Sequence, residues 1–424
     1  MRKILLFILL FISVISLNIN AQEKKEPTFG IKFSGFVKND VFYDTRQGNS
    51  GGVLREGHFY LYPDPIVYDV DSVDLNDKST FNMLSIQSRL KGNIFGPDAF
   101  GAKTSGVIEA EFFGNAEADI NGFRLRHAFM SLNWKNTELL SGQTWHPIFS
   151  ADCYPGTISF NTGAPFIPFS RNPQVKVSHK FGPLALVGAV YSQRDFCNLG
   201  PDETDKTGKV VLSSSKYMRN SSIPGVDFQI QLKPDSTEHA FGIGIDYKSI
   251  TPEIKTTKNY QTNEQIGSIA ASTYLKLKFK PITVKVQGSY IQNGTDLMVL
   301  GGYAVKQETD TAKGFKEYTT INTGSAWMDI TTNGTKVQVG IFAGYSKNLG
   351  SMDEIKGKYY SRGANIDHLY RVSSRVNFIS GKFSTGAELE MTTAGYGTAD
   401  KYGKVKDVEE VTNFRILFST TYNF

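Results

Sequence analysis

Along most of this chain, alternating apolar and polar side chains fill segments of about ten residues, and the connections between those segments are short and long by turns. Tight links fall at Lys135-Asn136, Gly182-Pro183, Pro281, Thr332-Asn333-Gly334 and Ser380-Gly381. Long polar stretches fall at 44–79, 146–172, 195–223, 293–321, 347–365 and 392–410. Successive side chains of a strand point to opposite faces, so this rhythm belongs to sheet with one apolar face. A soluble sandwich or propeller has no reason to sort its connections by length. A closed barrel crossing a bilayer does, with short turns on the periplasmic side and long extracellular loops.

The pattern predicts an all-β fold, a transmembrane antiparallel β-barrel of about sixteen strands. They are expected near 29–43, 80–95, 103–113, 123–134, 137–145, 173–181, 184–194, 224–232, 240–249, 268–280, 282–292, 322–331, 335–346, 366–379, 381–391 and 411–424. Composition agrees: 40 Gly, 30 Phe and 20 Tyr accompany a mean hydropathy of only −0.26. Membrane helices need apolar runs of roughly 18 residues, and after the N-terminus there is none. At that N-terminus, basic Arg2-Lys3, apolar Ile4 to Leu17 and a cleavage site ending in Ala21 read as a signal peptide over 1–21. Residues 22–424 are then expected to form one barrel in a bacterial outer membrane, against lipid and lipopolysaccharide. No plug domain precedes the first expected strand, which argues against a plug-gated transporter.

The last segment is the cleanest strand. Phe414, Ile416, Phe418, Tyr422 and Phe424 share one parity, while Arg415, Ser419, Thr421 and Asn423 share the other. An aromatic Phe424 two residues after Tyr422 resembles the terminal signal read by the barrel-assembly machinery. The net charge of +5 is too small for a nucleic-acid binder. Cys153 and Cys197 could pair in an exported protein, or remain thiols.

Where one parity faces lipid, the other lines the lumen. It carries Arg89, Lys91, Lys176, Lys180, Lys248, Lys276, Lys278, Lys285, Arg371, Arg375 and Arg415 against Glu109, Glu111, Asp227, Asp246, Asp367, Glu388 and Glu390. That is a wet interior with a modest basic bias. Parity fails in 123–134, where Arg124 and Arg126 suggest a rim or a bulge. Arg89, Lys176, Arg371, Arg375 and Arg415 are the candidate pore-lining, selectivity-setting cations. The third long connection, 146–172, is apolar and rich in proline, with Phe149, Pro165, Phe166 and Phe169 following Trp145. It is expected to fold inward as a constriction, or to pack at a subunit contact.

The run Gly142-Gln143-Thr144-Trp145, then Pro165-Phe166 and Ser170-Arg171-Asn172-Pro173-Gln174, resembles the trimeric porins of the DcaP type and related porins of Bacteroidetes. The resemblance implies a homotrimer that passes small anionic solutes such as dicarboxylates, with Arg171 as a constriction cation; Arg171 could equally be a surface arginine beside a strand start. The periplasmic coiled-coil segment of that family has no counterpart here.

The expected function is passive diffusion of small hydrophilic solutes, without catalysis or cofactor. A surface-binding or adhesion barrel acting through its loops is the alternative. An outer-membrane hydrolase is the third reading, through His146, Ser150 and Asp152, or through His127 and Ser131 on one strand. His58, His127, His146, His179, His239 and His368 are too scattered for a metal site, and Asp64, Asp69, Asp71, Asp74 and Asp77 read as a solvated acidic loop before a Ca²⁺ site.

Overall fold

The computed structural model describes residues 29–49, 59–114, 119, 121–161, 163–204, 210–234 and 237–424. The expected signal peptide and His58 lie outside them. Among the described residues sixteen antiparallel strands close on themselves. They are β1 (Gly30–Asp44), β2 (Thr80–Leu84 and Arg89–Phe95), β3 (Lys103–Glu111), β4 (Arg124–Asn133), β5 (Thr137–Trp145), β6 (Arg171–Phe181), β7 (Leu184–Tyr191) and β8 (Gly225–Leu232). Then come β9 (Ala240–Ile250), β10 (Ile266–Lys278), β11 (Ile282–Gln292), β12 (Phe315–Thr332), β13 (Val337–Gly350), β14 (Ile366–Ser380), β15 (Phe383–Ala399) and β16 (Val405–Asn423).

Each strand pairs with its neighbours in sequence, and β16 closes on β1 over Phe36↔Asn423 to Asp44↔Arg415. Closure pairs the first strand with the last, so the ladder has no open edge strand among the described residues. The final backbone pair runs between Phe424 and Gly35.

Parity along the strands sorts the two faces. On β8, Val226, Phe228 and Ile230 are exposed outward while Asp227 and Gln229 are buried inward. On β9, Phe241, Ile243 and Ile245 point out while Asp246 and Lys248 point in. An apolar belt around a polar interior suits a barrel set in hydrocarbon, because charge on that outer face would cost roughly 2–4 kcal/mol per basic residue at the midplane. No helix among the described residues is long and apolar enough to cross a membrane.

Several elements depart from the sequence-based boundaries. β2 is interrupted at 85–88, where its two halves pair with different stretches of β1. β15 and β16 continue past the expected ends, so the last outer connection is only 400–404 rather than 392–410. The backbone stays paired there because the two strands satisfy each other without needing a lipid-facing pattern. Likewise Gly301–Asp310 pairs with the start of β12 and with Tyr359–Arg362, building sheet above the barrel where a polar loop was expected. The broken parity of β4 is a β-bulge: Glu109 faces His127 and Ala110 faces Leu125, leaving Arg126 as the extra residue. The bulge turns both Arg124 and Arg126 to the inside, where each finds a carboxylate.

Candidate functional site: the barrel lumen

The connection between β5 and β6 turns into the barrel and crosses it. It leaves β5 at Trp145, whose ring stacks on Phe149 at 4.2 Å. The Pro147 carbonyl accepts from Gln229 of β8 at 2.5 Å, and the Tyr154 carbonyl accepts from Lys285 of β11 at 2.9 Å. Farther on, the Ile158 and Ser159 amides donate to Glu388 of β15, and the Ile158 carbonyl accepts from Lys38 of β1. Asn161 donates to Glu390, and Phe166 packs against Phe342 of β13. A loop of mostly apolar side chains is soluble here because it shares its core with the wall: Phe149, Phe160, Ala164, Phe166, Ile167 and Phe169 join Trp327, Phe342 and Leu369 in one buried cluster.

Other outer connections also enter that cluster, and the sequence reading missed them. Phe59 and Leu61 come from the first connection, Phe196 from the fourth, and Met298 and Leu300 from the sixth. The signal was present as apolar runs, Phe59-Tyr60-Leu61-Tyr62 and Leu297-Met298-Val299-Leu300, inside stretches otherwise polar.

Three of the candidate cations are buried in this scaffold. Arg371 is wholly inaccessible; it donates to Thr392 (2.8 Å) and to the carbonyls of Ala164 (2.7 Å) and Leu61 (2.8 Å), with Glu390 at 3.3 Å. Its guanidinium lies between the rings of Tyr60 and Phe166. Arg415 makes two bonds to Asp44 (2.8 and 2.7 Å) and stacks on Phe42 and Tyr60. Arg171 meets Asp195 at 2.8 Å and Glu111 at 3.5 Å, over the Trp145 and Phe169 rings. The donors of Arg371 and Arg171 tie loops to the wall, while those of Arg415 tie β16 to β1 beneath the Tyr60 ring.

Arg89, Lys176 and Arg375 are placed differently. Arg89 is partly open beside Glu109 and Glu111, in a ladder that Arg126 shares. Lys176 is half-buried on β6, with no carboxylate within 4 Å among the described residues. Arg375 is also buried, paired with Asp329 at 2.8 Å, but it borders the cavity described next. Arg371 and Arg375, two pleats apart on β14, thus serve different surroundings.

That cavity, about 600 Å³, lies beneath the inward loop at the short-turn end of the barrel. Gly156, Thr157, Ile158 and Ser159 form its ceiling, and Thr332, Asn333 and Asn423 lie near its lower rim. Five cations line it, Lys38, Lys276, Lys278, Lys285 and Arg375, against a single acid, Glu238. Lys276, Lys278 and Lys285 had been placed on the inner face by parity, but nothing in the sequence gave their height along the barrel.

The remaining constellations resolve as structure. His146 is fully buried, its Nδ1 accepts from the Ile148 amide, and its Nε2 has no hydrogen-bond partner among the described residues, while Asp152 pairs with Lys233. Burial, aided by Lys248, pushes the His146 ring down to about 3. His127 and Ser131 both face inward. Asp69 and Asp74 cap the turns of their own hairpin, and Asp74 pairs with Arg46. No group of three or more His, Cys, Asp or Glu close enough to hold a metal occurs among the described residues. Cys153 and Cys197 are both free thiols.

No family model matches the chain, and no curated protein does. Solved structures do. The outer membrane channel DcaP of Acinetobacter baumannii superposes with a TM-score of 0.68 at 16% identity, covering 96% of this chain and 100% of that one. An anion-selective porin from Comamonas acidovorans gives 0.54 at 10% identity over 94% and 100%. The outer-membrane-expressed OmpT of Vibrio cholerae gives 0.53 at 9% over 95% and 100%. What they share with this chain is the closed sixteen-stranded barrel.

Proposed function

We propose that the protein is an outer-membrane porin that lets small hydrophilic, anion-leaning solutes, dicarboxylates among them, diffuse passively. The observation that carries this reading is the charge of the cavity, five cations to one acid in a space walled by sheet and roofed by the inward loop. Low-dielectric walls focus such a field and raise the local concentration of counter-ions. In this reading the short turns face the periplasm and the long loops the outside. The loop 146–172 is the constriction, with Trp145, Pro165, Phe166 and Phe169 as its apolar body. Arg89, Lys176 and Arg375 bias selectivity directly, while Arg171 and Arg371 act by holding the loops that set the aperture and Arg415 by tying the wall beneath Tyr60. A homotrimer fits the outer wall of β2 to β5, where Gly106, Ala128 and Ser141 leave an apolar groove for a neighbour's side chains.

Single-channel recording in a planar bilayer under a salt gradient tests the reading. Stepwise conductance with an anion-leaning reversal potential is expected. Stable insertion without conductance would overturn it. That outcome would favour a surface-binding barrel, a reading supported by the hairpin at 67–75, which holds Val70 fully exposed beside exposed Tyr68 and Val73.

A further inference from the structure

Within the cavity the five cations are not equivalent. Lys38 pairs with Asp40 at 3.1 Å, Lys278 pairs with Glu238, and Arg375 pairs with Asp329. Among the described residues Lys276 and Lys285 have no carboxylate within 4 Å, and the only hydrogen bond that either ammonium makes to them is that of Lys285 to the Tyr154 carbonyl. These two lysines are directly opposite each other on β10 and β11, on the same inward face. Directly opposed like charges destabilise a strand pair, and both side chains are half-buried, so water screens them only in part. The cavity's acid is committed to Lys278, and Asp152, on the inward loop, is committed to Lys233. Asp329, directly across from Lys285 on β12, is bonded to Arg375. Two ammonium groups without a carboxylate in contact therefore face the cavity, sharing one distant acid already committed elsewhere.

We propose that Lys276 and Lys285 form a seat for a compact, multiply charged oxyanion, of the class of phosphate and small phosphate esters. This deepens the porin reading and rests on it for its role in transport. A phosphate group carries roughly two negative charges at neutral pH and presents several strong acceptor oxygens around one centre, so two adjacent ammoniums can grip it together. A singly charged ion neutralises only one of them. The seat lies below the loop, so an anion reaches it from the short-turn mouth without passing the apolar cluster.

The test uses the full refolded chain and inorganic pyrophosphate as probe, with two readouts. In a planar bilayer, pyrophosphate added at the short-turn side should reduce the current at concentrations where chloride of equal ionic strength does not. The double variant Lys276→Gln, Lys285→Gln should weaken that block about tenfold or more, because it removes both charge-assisted contacts. Lys180→Gln, outside the cavity, should leave it unchanged. Because Gln relieves the opposed charges, the double variant should fold at least as well as the parent. Isothermal titration of pyrophosphate into the detergent-solubilised protein reads the seat without any current. Binding lost in the double variant but no conductance would keep the seat and discard the porin. Conductance with pyrophosphate binding equal in parent and double variant would discard the seat and keep the porin.

Discussion

At the scale of single residues, the arginines of the lumen show how a buried charge becomes a fastener. Arg371 has no exposed surface, yet its guanidinium meets Thr392, Glu390 and three loop carbonyls at once. Removing one partner of a buried, hydrogen-bonded ion pair leaves the other uncompensated, at a cost of about 3–5 kcal/mol. Arg371→Met should therefore lower stability by about that amount in urea unfolding of the vesicle-inserted protein, since Glu390 loses its nearest guanidinium and keeps the neutral donors Asn161 and Thr392. Adding Glu390→Leu should recover most of the loss, because the pair is then replaced rather than broken. A loss below about 1 kcal/mol in the single variant would mean that the loop does not depend on this clamp.

At the scale of elements, the question is how inward loops are fixed to a wall they are not part of. The fourth outer connection is held by Asp195, which lies between Arg171 and Arg124. Burial alone would raise its carboxyl, but the two guanidiniums hold it below its ordinary 3.8. A group whose pKa is depressed on folding stabilises the structure fully above its ordinary value and less as the pH falls beneath it. Channel current should thus be quiet from neutrality down to about pH 4 and become noisy only below it, as the carboxyl takes up a proton and releases the loop. Asp195→Asn should show that noise already at pH 7, with Arg171 left to Glu111 alone. A parent channel equally quiet at pH 3 would remove Asp195 from the role.

At the scale of the whole molecule, one wall separates two solvents. The outward positions of β8 and β9 are large and apolar, and the positions between them are polar and buried. Ile245 belongs to the outer set and is 53% exposed. Ile245→Arg should cost about 2–4 kcal/mol in a bilayer if it lies near the midplane, and little in a zwitterionic detergent that gives way around the charge. Urea titrations in both media check this. Equal, small effects in the two would show that the belt does not face hydrocarbon.

Much of this was legible in the chain itself. The period of two, the alternation of short turns with long loops, and the inward parity of Arg89, Lys285 or Glu390 are local signals, because a strand's faces are fixed by the pleat. The apolar loop after Trp145 announced that it needed a core, since such a sequence does not stay in water. What the sequence left open depends on distance in space. Whether Arg371 is a pore cation or a clamp depends on Ala164 and Leu61 lying beside it, more than 200 and 300 residues away along the chain. The height of Lys276 and Lys285 in the barrel depends on the stagger of all sixteen strands together. That stagger is a property of the closed sheet and of no single segment.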